Sequence, residues 1–532
     1  MSITDAHEKR VDSPILLYYL GFTAVTCGAL VMVIEVLGSR VIGPFFGVSL
    51  FVWTSLITVT LIALALGYAV GGIVSDRRDS ADYLYSVIFV AGLLILAIPF
   101  AKSHVLKVCL PLGLRMGALA SSFLLFGPSL FLLGCVSPYI IKIAAREMKN
   151  IGRTVGLFYA ISTMGSFIGT VATGFVLIAY LGVDRIFEAT GMLLLGVALG
   201  YFLLLKKRWY LSLIVIFMIA VWLYQPDPVV SKTMQNGTQV AKIFAKDSFY
   251  GNLKVIDYSF GPVHTRELII DGLVQGGIDM NSRLSIYEYP YFLEFIPYSL
   301  NPSGGNCLVI GLGAGVVPQW YENRGIRTDV VDIDPEVADI ARKYFGFSLA
   351  GDLIISDARY YLINSEKKYD YVVLDVFNGD TTPGHVLSLE AVQLLSNRMT
   401  ERGILAINLV GSLKEDTFIT ASVVHTLTRV FQTVEIHPTF SPQEGRGCGN
   451  IVLVAYRSPT MKRNVKTCST FPVNEMAREG VNRYIDSIFR FPAETPAIVL
   501  SDDYNPIDFY DRRLKEHVRE EIIKSTDWEI LI

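Results

Sequence analysis

The sequence predicts a two-part chain: an α-helical multi-span membrane domain, followed by an α/β domain on a mostly parallel, doubly wound sheet. Three observations predict it. Hydrophobic residues make up 52% of the 532, and the apolar excess sits in the first 225 as long runs with few charges. From Cys307 onward, short apolar runs alternate with segments of helical period, the pattern of βα units. Between the two, Leu253–Tyr258 and Thr265–Asp271 flank a turn at Phe260-Gly261-Pro262, as a small antiparallel β unit would.

A bilayer core of ~30 Å takes roughly 20 apolar helical residues. About seven spans meet that requirement: Ile15–Gly38, Phe51–Val74, Tyr83–Ala101, Gly117–Ile141, Thr154–Leu181, Ile186–Leu205 and Trp209–Leu223. The apolar stretch His104–Arg115 is too short to cross and is expected to be interfacial or re-entrant. Basic residues cluster in alternate loops, at Arg77-Arg78, at Lys142 to Arg153, and at Lys206-Lys207-Arg208. The positive-inside rule places these loops and the N-terminus in the cytoplasm. Seven spans would then put everything after Gln225 on the far side. The first apolar run is too long for a signal peptide, and another span follows it.

Within this half, Gly165, Ser166, Gly169 and Gly174 are the small residues that close helix packing in lipid requires. Glu35 is the notable charge in a span. It marks a functional site or sits near the span's end, reaching water or Arg40. The segment "GYAVGGIVSDRR" (Gly67–Arg78) resembles the loop between the second and third spans of major facilitator transporters.

The second half is read as a linker at 226–246, a β unit at 247–300, a strand–helix region at 301–460 within a domain reaching 500, and a tail at 501–532. Strands are expected at Cys307–Ile310, Thr328–Asp332, Leu353–Ile355, Tyr371–Asp375, Leu405–Leu409, Thr433–His437 and Ile451–Tyr456. In such a sheet, ligands bind at the strands' C-terminal ends. The net charge of −3 offers no basic surface for nucleic acid. The six cysteines lack paired spacing, and the histidines lack metal-ligand spacing, so neither a disulfide framework nor a metal is expected.

"CLVIGLGAGVVPQW" (Cys307–Trp320) carries Gly311, Gly313 and Gly315 between a strand and a helix, where backbone can approach a ligand closely. The next strand ends on Asp332, about 20 positions past the glycines, the placement that binds both hydroxyls of a ribose. That pairing suits a dinucleotide or an adenosyl sulfonium. The Gly-x-Gly-x-Gly spacing departs from the pattern that cradles pyrophosphate. A third strand end supplies Asp357 and Ala358, with Asp357 placed to accept from an adenine amino group or simply to cap a helix. A fourth ends on Asp375, followed by Asn378, Asp380, Pro383 and His385.

The segment from about Phe249 to Tyr456 resembles the polyamine aminopropyltransferases, and the whole chain resembles their membrane-fused relatives. Three features carry the resemblance: "SFYGNLKVID…LIIDGLVQGGID" with Asp271, Gly272 and Gln275; the Gly-rich turn with Asp332; and "VVLDVFNGDTTPGHVLSLEAV" with Asp375. "SDDYNPIDF" (Ser501–Phe509) is similar to a tail of the membrane-fused group. The resemblance implies a Rossmann-like, S-adenosylmethionine-type methyltransferase fold. It also implies transfer of the aminopropyl group of decarboxylated S-adenosylmethionine to an amine such as putrescine, with release of methylthioadenosine. Asp375 would accept the amine's proton. Gln275, Gly311, Gly313, Gly315, Asp332, Asp357 and Ala358 would hold the donor, and Tyr287, Asn378, Asp380 and His385 the acceptor. The sequence departs from the family at the acceptor end, with Asn378 in place of a second Asp and Asp279-Met280 in place of Asp-Glu.

Two other readings stay open at this point. One is a methyltransferase using intact S-adenosylmethionine on a membrane-associated acceptor. The other is a ligand-binding sensor of a polyamine-transporting membrane half. The partners expected are a small amine and the lipid bilayer; a homo-oligomer and the face holding the soluble domain are left open, though the supply of donor argues for the cytoplasm.

Overall fold

The computed structural model describes residues 14–47, 50–78, 80–147, 151–208, 210, 231–234, 236–377, 382–445, 447–458, 461–464 and 470–510. The chain separates into two units, Met1–Pro228 and Val229–Ile532.

The first unit is helical: α1 (Pro14–Phe46), α2 (Leu50–Arg77), α3 (Ala81–Cys109), α4 (Gly113–Glu147), α5 (Ile151–Ala172), a short α6 (Ile178–Tyr180) and α7 (Val183–Gly200). Five helical stretches among the described residues are long and apolar enough to cross a membrane, and the longest, Ala81–Ala145, contains both α3 and α4. It doubles back at Leu110–Leu112, where Pro111 lacks the N–H that would continue α3 and Gly113 takes φ +78°. His104–Arg115, expected as one short apolar stretch, is not a separate element. It is the end of α3, the turn, and the start of α4, which packs back along α3. The seventh expected span, Trp209–Leu223, lies outside the described residues apart from Tyr210.

Backbone contact joins α1 to α5. A Cβ on Gly165 would strike the Val25 backbone, one on Gly169 that of Ala29, and one on Gly28 that of Ser162. Ser166 Oγ donates to Gly28 O at 3.0 Å. Gly174 has open space around it instead. Glu35 is half-buried inside α1, which runs about three more turns to Phe46. It is thus not at the helix end.

The second unit has two sheets. The smaller is an antiparallel meander, β1 (Ser231–Thr233), β2 (Gln239–Asp247), β3 (Asn252–Phe260), β4 (Val263–Ile270) and β5 (Leu273–Asp279). β1 and β2 occupy the stretch expected as linker. Exposed Lys232, Gln239 and Lys246 make them polar, and a register shift between Lys242 and Phe244 breaks the alternation. The hairpin from β4 to β5 turns on Asp271-Gly272, with φ +50° and +79°, the pair that a tight right-twisted hairpin prefers.

The larger sheet has seven strands in the order β11-β12-β10-β9-β6-β7-β8. These are β6 (Asn306–Ile310), β7 (Arg327–Asp332), β8 (Leu353–Ile355), β9 (Tyr369–Leu374), β10 (Met399–Ser412), β11 (Thr433–Pro438) and β12 (Cys448–Tyr456). Only β12 runs against its neighbours. The buried runs Cys307–Ile310 of β6 and Tyr371–Leu374 of β9 are apolar at every position because both faces are covered. On β6, Cys307 and Val309 belong to one buried layer and Leu308 and Ile310 to the other; Tyr371 and Val373 divide from Val372 and Leu374 in the same way on β9. The first layer includes helices α8 (Tyr289–Leu300), α9 (Val316–Glu322) and α10 (Pro335–Phe345). The second includes α11 (Ala358–Asn364), α12 (Leu389–Asn397) and α13 (Phe418–Leu427). This is a Rossmann-like, methyltransferase-type sheet preceded by an antiparallel β unit.

Candidate active site

β6 and β9 lie side by side, yet β6 leads outward to β7 and β8 while β9 leads to β10 on the other side. Such a switch leaves a crevice at the C-terminal strand ends, and a cavity of ≈ 230 Å³ occupies it. Gly311 ends β6 with φ +93°, and a Cβ there would run into the carbonyl oxygen of Asp375. Only glycine lets the two strand ends come this close. Gly311 and Gly313 line the cavity. Gly315 caps α9 with φ +77° and packs on the Phe347 ring instead.

Asp332, at the end of β7, accepts from Leu312 N–H at 2.8 Å and Asp334 N–H at 2.9 Å. It thereby fixes the Gly-rich turn while lining the cavity. Burial pushes its carboxyl up to about 6 against those hydrogen bonds. Asp357 is the N-cap of α11, accepting from Tyr360 N–H at 3.0 Å, and with Ala358 it also lines the cavity. Capping and lining are compatible, because one carboxylate oxygen serves each. Asp334 caps α10 and accepts the Ser248 hydroxyl at 2.6 Å.

Asp375 follows the last residue of β9, its N–H donating to Ile310 O at 2.8 Å. Its Oδ1 accepts from Asn408 Nδ2 at 2.8 Å, and Asn408 Oδ1 accepts from Asn450 Nδ2 at 3.0 Å. Asn408 is fully buried, so the relay from β12 through β10 holds the carboxylate in one rotamer. Burial pushes Asp375 up to about 6, and the Asn408 hydrogen bond opposes that.

The β unit supplies the cavity's other wall through Tyr250, Ile270, Asp271 and Gln275. Asp271 accepts from Asn252 N–H at 2.9 Å. The Tyr250 hydroxyl is raised by burial and by the nearby Asp334, Asp357 and Asp332. His385 lies at the rim, its Nε2 3.7 Å from Asp357 Oδ2. Asn378 and Asp380 lie outside the described residues.

Tyr287 is directed away from the cavity. Its hydroxyl donates to Glu267 Oε1 at 2.6 Å, inside the β unit. The tyrosine nearer the cavity is Tyr289, with its hydroxyl 3.4 Å from Gln275 O and its ionisation raised by burial and by Asp375 and Glu294. Periodicity could not distinguish the two, because residues 284–288 form an irregular turn. Asn408 was also missed, being a single polar residue inside an apolar strand. The tail contributes as well: Asp502 forms a two-pronged ion pair with Arg359 at 2.7 and 2.6 Å, and Asn505 Nδ2 donates to Gly384 O at 2.7 Å. Both bonds secure the rim that carries His385.

Five carboxylates line the cavity, those of Asp271, Asp332, Asp334, Asp357 and Asp375, and among the described lining residues there is no lysine or arginine. Such a site attracts cations and repels phosphates. Residues 274–454, from β5 to β12, match the spermine/spermidine synthase domain. The C-terminal unit carries a spermine/spermidine synthase domain. A polyamine aminopropyltransferase of Vibrio vulnificus is 33% identical over 123 residues, 21% of this chain and 40% of that protein. One from Aquifex aeolicus is 27% identical over 216 residues, 38% of this chain and 72% of that protein. An N-terminal histidine N-methyltransferase of Emericella nidulans is 33% identical over 162 residues, 29% of each chain. The chain thus spans less than half the length of the first and third of these relatives. Among solved structures, a probable spermidine synthase from Corynebacterium glutamicum aligns at 19% identity and a TM-score of 0.38, covering 44% of this chain and 86% of that one. The synthase domain places its Gly-rich turn, Asp332 and Asp375 around one cavity.

Proposed function

We propose that this chain is a membrane-anchored aminopropyltransferase, a transferase that moves the aminopropyl group of decarboxylated S-adenosylmethionine to a di- or polyamine, putrescine first, and releases methylthioadenosine. The observation that carries this reading is the five-carboxylate cavity with no lysine or arginine among its described lining residues. The decarboxylated donor carries a sulfonium and an ammonium and no carboxylate, so its charge complements the cavity. Intact S-adenosylmethionine would bring a carboxylate into the same field, at a cost.

The chain's own residues divide the work. Gly311 and Gly313 give the ligand backbone contact, Asp332 faces the ribose, and Asp357 and Ala358 face the base, with Gln275 and Tyr289 over the reacting end. Gly315 supports the turn from behind through Phe347, and His385, Asn378 and Asp380 belong to the acceptor side. Asp375 binds the incoming ammonium, takes one proton and aligns the nitrogen lone pair. A C–N bond forms as the C–S bond breaks, and its electron pair returns to sulfur. The long apolar helices of the first unit anchor the enzyme to the bilayer, with the synthase domain on the cytoplasmic face where the donor is made.

The test is incubation of the purified full-length chain with each sulfonium donor and with putrescine. Methylthioadenosine and spermidine are expected from the decarboxylated donor. The similarity to a histidine N-methyltransferase favours a second reading, methyl transfer to a membrane-associated acceptor. Adenosylhomocysteine from the intact donor, without methylthioadenosine from the other, would establish that reading instead.

A further inference from the structure

A second cavity of ≈ 350 Å³ lies in the same unit and shares no lining residue with the first. The two sit on either side of a contact between β5 and the Gly-rich turn, where a Cβ on Gly276 would come within 3.1 Å of the Ala314 Cβ. Walls of Ile278, Tyr291, Trp320 and Phe345 make it largely apolar. Two charged side chains break that pattern.

Glu294 lines the cavity at 1% exposure, and its Oε2 is buried without a hydrogen-bond partner among the described residues. A buried carboxylate oxygen lacking a donor is costly, and natural structures rarely leave one so. Burial raises the Glu294 carboxyl well above its ordinary range, while the charge of Arg324 works against this. The guanidinium of Arg324 itself stands over the Trp320 ring, its Cζ 3.5 Å from the ring centre, and donates to Trp320 O at 3.1 Å. Arg283 stands at the exposed rim, in the left-handed backbone region with φ +61°. Its Nη1 donates weakly to Met280 Sδ at 3.9 Å, and it forms no ion pair among the described residues. A non-glycine residue held there is strained, and such strain persists where the surroundings enforce it.

The cavity therefore has a buried acid whose Oε2 lacks a donor and, at its exposed rim, a guanidinium that lacks an ionic partner among the described residues. We propose that it is a second binding site, for a small zwitterion of the amino-acid class, whose ammonium meets Glu294 and whose carboxylate meets Arg283. A purely cationic ligand would satisfy Glu294 but face Arg283 and Arg324. A purely anionic one would meet the buried carboxyl. The apolar walls accommodate the carbon skeleton between the two charged ends. The site does not depend on the reaction proposed for the first cavity.

The experiment is calorimetric titration of the purified full-length chain with L-methionine, 4-aminobutyrate, putrescine and butyrate, with methylthioadenosine present throughout to occupy the donor part of the first cavity and putrescine binding counted only where Glu294→Gln removes it, since the acceptor part stays open. At least one of the two zwitterions is expected to bind, with putrescine and butyrate weaker by about tenfold or more. Glu294→Gln and Arg283→Gln should each weaken the zwitterion by about tenfold or more, these being charge-assisted bonds. Thermal unfolding midpoints of both variants serve as the folding control, and Arg283, being exposed, keeps the test valid if Glu294→Gln fails to fold. Absence of zwitterion binding overturns the proposal. So does binding that survives both substitutions, or a preference for putrescine that Glu294→Gln abolishes.

Discussion

Asn408 Nδ2 donates to Asp375 Oδ1 at 2.8 Å from the next strand of the sheet, and is itself held by Asn450. The bond does two things to the carboxylate. It fixes the rotamer that faces the cavity, and it favours the ionised form against burial. Replacing Asn408 by Ala should raise the Asp375 carboxyl above about 6 and move the acidic limb of the rate profile upward. It also leaves Asn450 Nδ2 without its acceptor, at a cost of about 1–3 kcal/mol. A pH–rate profile with a thermal melt separates the two effects.

Asp375→Asn keeps the shape and removes the base. Aminopropyl transfer should fall by about 10²–10⁴-fold, while methylthioadenosine binding, which does not use the proton acceptor, stays within about twofold. Single-turnover rates and a binding titration on the same preparation check this. An unchanged rate would remove Asp375 from the chemistry.

Transfer should also fall as pH drops through about 6, since Asp332 and Asp375 are both raised to about that value. Below it both are neutral, so neither the ribose contact nor the proton acceptor is in its working form. A bound sulfonium favours ionised carboxylates, so the limb in kcat should lie lower in pH than that in kcat/KM. Folding shows the opposite sign. The raised carboxyls hold their protons in the folded state, so their contribution to stability is full below the ordinary Asp range and is lost as pH rises through about 6.

Gly311→Ala should cost about 3 kcal/mol, because it adds a Cβ at positive φ against the Asp375 carbonyl. Gly305 has nothing within 4 Å of a Cβ, so Gly305→Ala should melt like the parent. Thermal unfolding of the pair tests the close approach of β6 and β9.

Breaking the Arg359–Asp502 pair by Asp502→Ala should raise KM for the donor about two- to fivefold with little change in kcat. Partly exposed pairs are worth up to about 1 kcal/mol, and this one holds the rim rather than the reacting groups. Steady-state kinetics on Asp502→Ala and Arg359→Ala should agree within error.

Much of this architecture was readable in the sequence for definite reasons. The buried parallel strands β6, β7 and β9 close on the apolar runs Cys307–Ile310, Val330-Val331 and Tyr371–Leu374, which stop at Gly311, Asp332 and Asp375, so pattern and chemistry coincide at their ends. The first unit was readable because bilayer-length apolar runs are hard to mistake, but the join at Leu110–Leu112 was not, since a tight turn between packed helices can itself be apolar. β2 was hidden because its side chains face largely outward and its register shifts. Tyr287 and Tyr289 differ only in the direction an irregular turn gives them, and Glu294 is one acid in an otherwise apolar helix. Side-chain direction and long-range partners carry no local period, so no window of residues contains them.

The clasp between Arg359 and Asp502 has a temporal consequence. The cavity is assembled from segments beginning at Tyr250, yet its rim is secured by Asp502, beyond the last strand of either sheet. During synthesis, the helical unit and nearly all of the sheet leave the ribosome before that clasp exists. A chain cut short after β12 would therefore have both sheets and an unfastened rim.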